Sequence, residues 1–185
     1  MNTFFTSDQH YGHAMILEYC NRPFNDLEEM NETLIARHNA VVGKKDLVYH
    51  LGDFAFRGCG GDYLRRLNGK HTLILGNHDK LNQQADIGWQ EVVQVKQIKV
   101  EGQLIWLSHY AHLVWPQSHY GTWHLFGHTH GSVTGVGRSM DVGVDGNDFR
   151  PWRFEQIATM MERVPVITRS DRADYTESQI PPSCV

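Results

Sequence analysis

Residues 123–130 read "WHLFGHTH". A mostly apolar run is closed by Gly127, and two imidazoles follow, two residues apart. In an extended strand, positions i and i+2 project to the same face. A strand carried through this stretch would therefore present His128 and His130 together at its end. Such a pair is either packing or half of a metal site, and the remaining strand ends decide between the two.

Four more apolar runs end in polar residues of related chemistry: "SDQH" (7–10), "LGDF" (51–54), "LGNHD" (75–79) and "LSHY" (107–110). The runs behind them read as strands over 3–8, 46–53, 71–79 and 103–110, by their β-branched and apolar content. "EVVQVKQIKV" (91–100) alternates apolar and polar residues and predicts one half-exposed antiparallel strand. Glu101-Gly102 then turns the chain into a hairpin. "SMDVGVD" (139–145) is a further strand. Helices are predicted over 15–20, 26–42, 63–67 and 151–164. The second of these is the clearest, with Asp26 as N-cap and Glu29 three residues on. The order is β-α-β-α-β, then successive strands, then a helix, which predicts an α/β domain with mixed sheets. One domain is expected over 1–164, with a polar tail over 165–185.

In α/β sheets, ligands bind beyond the carboxyl ends of strands. The five polar clusters should therefore meet at one edge. Their donors are carboxylate, imidazole and one amide, without thiolate, which suits Mn, Fe, Zn, Co or Ni. The donor count exceeds what one ion needs while keeping a position open.

Composition bounds the alternatives. The chain has 185 residues, 41% hydrophobic, enough for a substantial core. At a net charge of −4, nothing is basic enough to suggest a surface that coats nucleic acid, while a nucleotide or short oligonucleotide stays open as a substrate. Twelve histidines raise the prior for metal or proton chemistry. Cys20, Cys59 and Cys184 form no CxxC and no disulfide framework, as expected for a reducing compartment. The amino terminus lacks the basic and apolar regions of a signal peptide, and no apolar run is long enough to span a bilayer. The expected location is the cytoplasm.

Asp-x-His, Gly-Asp, Gly-Asn-His-Asp, His and Gly-His-x-His, in this order over residues 8 to 130, resemble the calcineurin-like metallophosphoesterase superfamily. The resemblance implies a two-sheet α/β/β/α sandwich of mixed sheets and two divalent transition-metal ions, manganese favoured. By motif it implies Asp8, His10 and His130 as ligands of the first ion, Asn77, His109 and His128 of the second, and Asp53 as the bridge. His78 takes the place of the catalytic histidine that binds no metal, and Asp79 that of its orienting partner. The implied reaction is attack of an activated water, in line, on a phosphoester.

Three further residues are candidates for substrate contact: Arg57, His13 and Arg22. Arg57 stands where the Ser/Thr phosphatases of the superfamily carry an arginine. Phe56 and Leu75 replace their flanking aspartate and arginine, which argues against protein phosphatase activity. His38, His50, His71, His112, His119 and His124 are read as structural or solvated. The chain lacks a long insertion for a capping domain, so the expected substrate is a small phosphodiester: a nucleotide, a cyclic nucleotide or a nucleic-acid end. The alternatives are a phosphomonoesterase and a metal-binding interaction scaffold without catalysis. The filled ligand positions and His78 favour an enzyme.

Overall fold

The computed structural model describes residues 1–56, 59–81 and 87–167. Two sheets carry the chain. The first contains β1 (Thr3–Thr6), β2 (Leu47–His50), β3 (Lys70–Ile74), β4 (Glu91–Val93) and β9 (Trp152–Arg153), in the order β4-β3-β2-β1-β9. The second contains β5 (Val95–Val100), β6 (Gln103–Ser108), β7 (Trp123–Phe126) and β8 (Ser139–Asp141), in the order β5-β6-β7-β8. The strands β1 to β4 pair in parallel, and β9 runs antiparallel to β1. In the second sheet only the β5–β6 hairpin is antiparallel. The turn of that hairpin is Glu101-Gly102, both at positive φ (47° and 89°), the geometry that matches strand twist.

Four helices complete the described fold: α1 (Ile16–Tyr19), α2 (Leu27–Val41), α3 (Gly60–Leu64) and α4 (Phe154–Met161). Asp26 caps α2, its Oδ1 accepting from Glu29 N at 2.8 Å. Glu29 reaches back one residue further than a capping box would, accepting from Asn25 N at 2.7 Å. The helix buries Met30, Leu34 and Ile35 against Leu73 and Phe54 of the first sheet and its strand-end loop. On the other face, Phe5, Leu51 and Ile74 share one cluster with Ile105, Leu107 and Leu125 of the second sheet. Burial of each such side chain is worth about 1.5–3 kcal/mol. No helix is long and apolar enough to cross a membrane among the described residues.

Two expected elements are corrected. The stretch 91–100 is not one strand: the chain bends at Gln94, so that β4 pairs with β3 and β5 with β6 in the other sheet. Alternation has the same period in both halves, so it gives no sign of a change of sheet. The helix expected over 151–164 starts late, because Trp152 and Arg153 pair with Phe5 and Phe4 first. Pro151, which has no N–H to offer a ladder, leads into this edge strand.

His38, His50 and His71 lie together between α2, β2 and β3, all buried. Gln9 Nε2 donates to His50 Nδ1 (3.1 Å), which makes His50 Nε2 the donor to His71 Nδ1 (3.0 Å). Burial pulls His38 and His71 down to about 4 and His50 well below its ordinary 6.5. The unfolded chain therefore takes up protons first. The stability these groups contribute is full above pH 6.5 and is lost as pH falls towards 4, at roughly 1.4 kcal/mol per tenfold change in proton affinity. Two carboxyls oppose this trend, Asp8, raised to about 8 by burial, and Asp79, also raised by burial, against the three imidazoles. With chelator present, the urea midpoint should drop steeply between pH 6.5 and 4.5. A flat midpoint would show that these imidazoles are not buried neutral.

Candidate metal centre

Asp8 and His10 follow β1, Asp53 follows β2, Asn77 and His78 follow β3, His109 follows β6, and His128 and His130 follow β7. Backbone bonds draw these ends together: Asp8 N to Gly52 O at 3.0 Å, Leu51 N to Thr6 O at 2.8 Å, and Gly127 N to His109 O at 2.9 Å. His109 Nδ1 donates to Leu51 O at 2.7 Å and ties the second sheet to the first.

Asp8, His10, Asp53, His128 and His130 all adopt left-handed backbone conformations, with φ of 59°, 55°, 53°, 68° and 48°. Non-glycine residues seldom do so, and clusters of them mark sites where structure is held against local preference. The glycines before the polar residues are there for close approach. A Cβ at Gly127 would lie 1.9 Å from Ser7 Oγ, and one at Gly76 would lie 2.2 Å from Asp53 Oδ1.

The expectation that His128 and His130 project together from an extended strand is corrected. The strand β7 ends at Phe126, and a turn follows in which Thr129 N donates to Gly127 O at 2.8 Å. Asp141 holds that turn by accepting from Gly131 N (2.9 Å) and the Thr129 hydroxyl. The two imidazoles consequently part: His130 joins Asp8 and His10, and His128 joins Asp53 and His109. A third group, His10, Asp53 and His78, links the two.

The donors aim into one space. Asp53 Oδ1 accepts from His78 N at 2.9 Å, and Oδ2 has no hydrogen-bond donor among the described residues. That one oxygen lies 3.7 Å from His10 Nε2, 3.6 Å from His109 Nε2 and 4.0 Å from His78 Nε2. Asp8 repeats the pattern: Oδ2 accepts from His128 N at 2.9 Å, and Oδ1 is buried without a partner among the described residues. His10 Nε2 is equally orphaned. Because His109 Nδ1 holds its proton against a carbonyl, a neutral His109 turns a lone pair towards Asn77 Oδ1, 3.0 Å away. Buried acceptors facing acceptors are costly, and a cation relieves them all at once. The residues present therefore fit divalent metal ions.

Burial holds Asp8 near pKa 8 and His10 near 2, so His10 stays a neutral lone-pair donor, and a cation beside Asp8 would favour its charged form. His130 is also penalised by burial, but Asp145, accepting from its Nδ1 at 2.8 Å, raises it above its ordinary value. The same carboxylate is forked by Arg22, with Nε to Oδ1 at 2.8 Å and Nη2 to Oδ2 at 2.9 Å. This carboxylate–histidine pair fixes the tautomer that leaves His130 Nε2 for the cluster. Asp145→Asn should lower metal affinity roughly 10–100-fold in chelator competition. It should also destabilise the fold by on the order of 3 kcal/mol, because Arg22 stays buried without its charge partner. Unchanged affinity would remove Asp145 from the centre.

Two sequence assignments change. Asp79 does not orient the His78 ring. Its carboxylate accepts from Asp53 N (2.7 Å), Gly76 N (3.0 Å) and Phe54 N (3.2 Å), so it shapes the Asp53 loop. Arg22 is not at a pocket rim: it is buried, and besides Asp145 it donates to Asp8 O and Gln9 O. His13 stands beside the centre, its ring 5.8 Å from that of His78, stacked on Phe56 at 4.3 Å with Nδ1 3.4 Å from His10 Nδ1. Arg57 lies outside the described residues, as does the tail beyond residue 167. His112 and His124 pack together against the second sheet and belong to none of the candidate metal groups among the described residues. Sequence reasoning missed Asp141 and Asp145. Their signal was a pair of aspartates around Gly143, directly after the last histidine block.

No family model matches the chain. It is 32% identical over 179 residues to the uncharacterized protein MJ1445 of Methanocaldococcus jannaschii, which covers 89% of this chain and 93% of that one. It is 41% identical over 83 residues to the gene 66 protein of Mycobacterium phage L5, covering 42% of this chain and 40% of that one. Among solved structures it resembles a protein of unknown function, AQ665 from Aquifex aeolicus, with a TM-score of 0.71 and 24% identity over 86% of this chain and 98% of that one. That likeness shows a shared fold.

Proposed function

This chain belongs with MJ1445 in one family; from that premise we propose that it is, by its five motif blocks, a calcineurin-like metallophosphoesterase that works as a dinuclear metal-dependent phosphodiesterase. The observation that carries the reading is Asp53 Oδ2, one carboxylate oxygen standing between His10 Nε2 and His109 Nε2. That is the place of a bridge. In this reading Asp8, His10 and His130 hold one ion, Asn77, His109 and His128 the other, and Asp53 both. The donor set, free of thiolate, suits manganese, with iron, zinc, cobalt or nickel as the other fits. When bound, the ion pair supplies Lewis acidity to the phosphoryl oxygens and brings the pKa of a water towards neutrality.

The protein's own residues orient and exclude. Asp8, His10, Asp53 and His109 are buried, whereas Asn77, His78 and His128 are exposed and mark the opening. His78, with its side chain 39% exposed, reaches from this opening to within 4.0 Å of Asp53 Oδ2. It is placed to donate a proton to a leaving oxygen or a hydrogen bond to a phosphate oxygen. The reading includes the four-layer α/β/β/α order and a cytoplasmic location. The substrate is a small phosphoester, with no membrane and no extended nucleic-acid surface involved.

The test is hydrolysis of bis-p-nitrophenyl phosphate beside p-nitrophenyl phosphate, with Mn²⁺ and with chelator. Diester cleavage that depends on metal is expected. Cleavage of the monoester alone would make the protein a phosphatase, and metal binding without turnover of either would favour a scaffold.

A further inference from the structure

The opening of the centre carries an aromatic side chain that neither the core nor the ligand set requires. Tyr110 follows His109 directly and is 49% exposed. Its ring centroid lies 4.7 Å from that of His128 and 5.0 Å from that of His109, edge to face with both. Ser108 Oγ donates to Tyr110 O at 2.8 Å and pins the backbone that carries the ring. A scattered exposed tyrosine needs no explanation. One fixed against two imidazoles of the proposed second ion site, with half its surface open beside the candidate reaction centre, has a use. Across Asp53, Phe56 stacks on His13 with only 10° between the planes, so aromatic groups flank the centre on both sides.

We propose that Tyr110 is a specificity-determining residue that stacks on a nucleobase carried by the scissile phosphate, which makes nucleotidyl diesters the preferred substrates. This rests on the phosphodiesterase reading and names its substrate class. Aromatic stacking accepts any base, because every base has a π-face. It also suits a chain of net charge −4, which has little positive surface with which to hold a nucleic-acid backbone.

Thymidine 5′-monophosphate and methyl phosphate share a phosphate monoester and differ in the nucleoside. Their affinities for the Mn²⁺-loaded full chain are measured by titration calorimetry, without turnover. Thymidine 5′-monophosphate should bind roughly tenfold more tightly. Tyr110→Ala should erase that advantage while leaving methyl phosphate binding unchanged, and Tyr110→Phe should keep it. Equal affinities in the wild type, or an advantage that survives Tyr110→Ala, would overturn the proposal. So would an equal loss of both ligands, which would make the ring a prop for His109 and His128. Hydrolysis is scored separately: a nucleoside advantage dependent on Tyr110, in a protein that cleaves no diester, would leave this site standing and remove the catalytic reading.

Discussion

Asp53→Asn should bind at most one ion per chain and lose on the order of 10³-fold in diester turnover, more than the 10–100-fold typical of residues that only support a ligand. The reason lies in how the two oxygens are used. Oδ1 accepts from His78 N at 2.9 Å, and Oδ2 faces His10 Nε2 and His109 Nε2 at 3.7 and 3.6 Å. An asparagine that keeps the bond to His78 N places its NH₂ group where Oδ2 was, with no lone pair and no charge to share between ions. Turning the amide restores an oxygen there but sets NH₂ against His78 N–H. Neither orientation reproduces a bridge. Metal content by elemental analysis beside turnover decides the matter. Two tightly held ions with full activity would sink the bridging role.

His78→Ala should separate binding from chemistry. Both ions should stay, because the ring is exposed and the six proposed ligands and the bridge lie on other residues, although His78 itself stands beside His10 and Asp53. Turnover should fall roughly 10²–10⁴-fold, most for poor leaving groups, since a general acid matters most where the departing oxygen needs a proton. The backbone N–H of residue 78, which holds Asp53 Oδ1, survives the substitution, so the Asp53 geometry is preserved. A uniform loss across leaving groups would assign His78 to a phosphate contact instead. No loss at all would leave it without a catalytic part. Loss of an ion would move His78 into the ligand set, a role its 4.0 Å approach to Asp53 Oδ2 makes worth measuring.

The chemistry of the centre was legible in the chain because metal donors are few in kind and each stood at the end of an apolar strand. The strand ends marked five polar clusters, the resemblance chose Asp8, His10, Asp53, Asn77, His109, His128 and His130 from them, and the structure brings these residues to one edge. For the last two, strand period misleads. An extended strand would make His128 and His130 neighbours on one face, but they diverge through left-handed turns held by Asp141. Strand period says which face a residue takes only while the strand continues, and β7 stops at Phe126.

Sequence by itself determined the class of fold, most strand and helix positions and the donor types, since these follow from local periodicity and side-chain chemistry. Only the tertiary structure decided which sheet each half of 91–100 joins, because alternation is blind to the partner strand. It alone showed that Asp145 and Arg22 brace His130, that Asp79 serves the backbone of the Asp53 loop rather than His78, and that Tyr110 stands at the opening. Those are contacts between residues distant in the chain or settled by side-chain direction. A carboxylate reads the same in sequence whether it meets a metal, an arginine or an N–H, and only packing chooses among them.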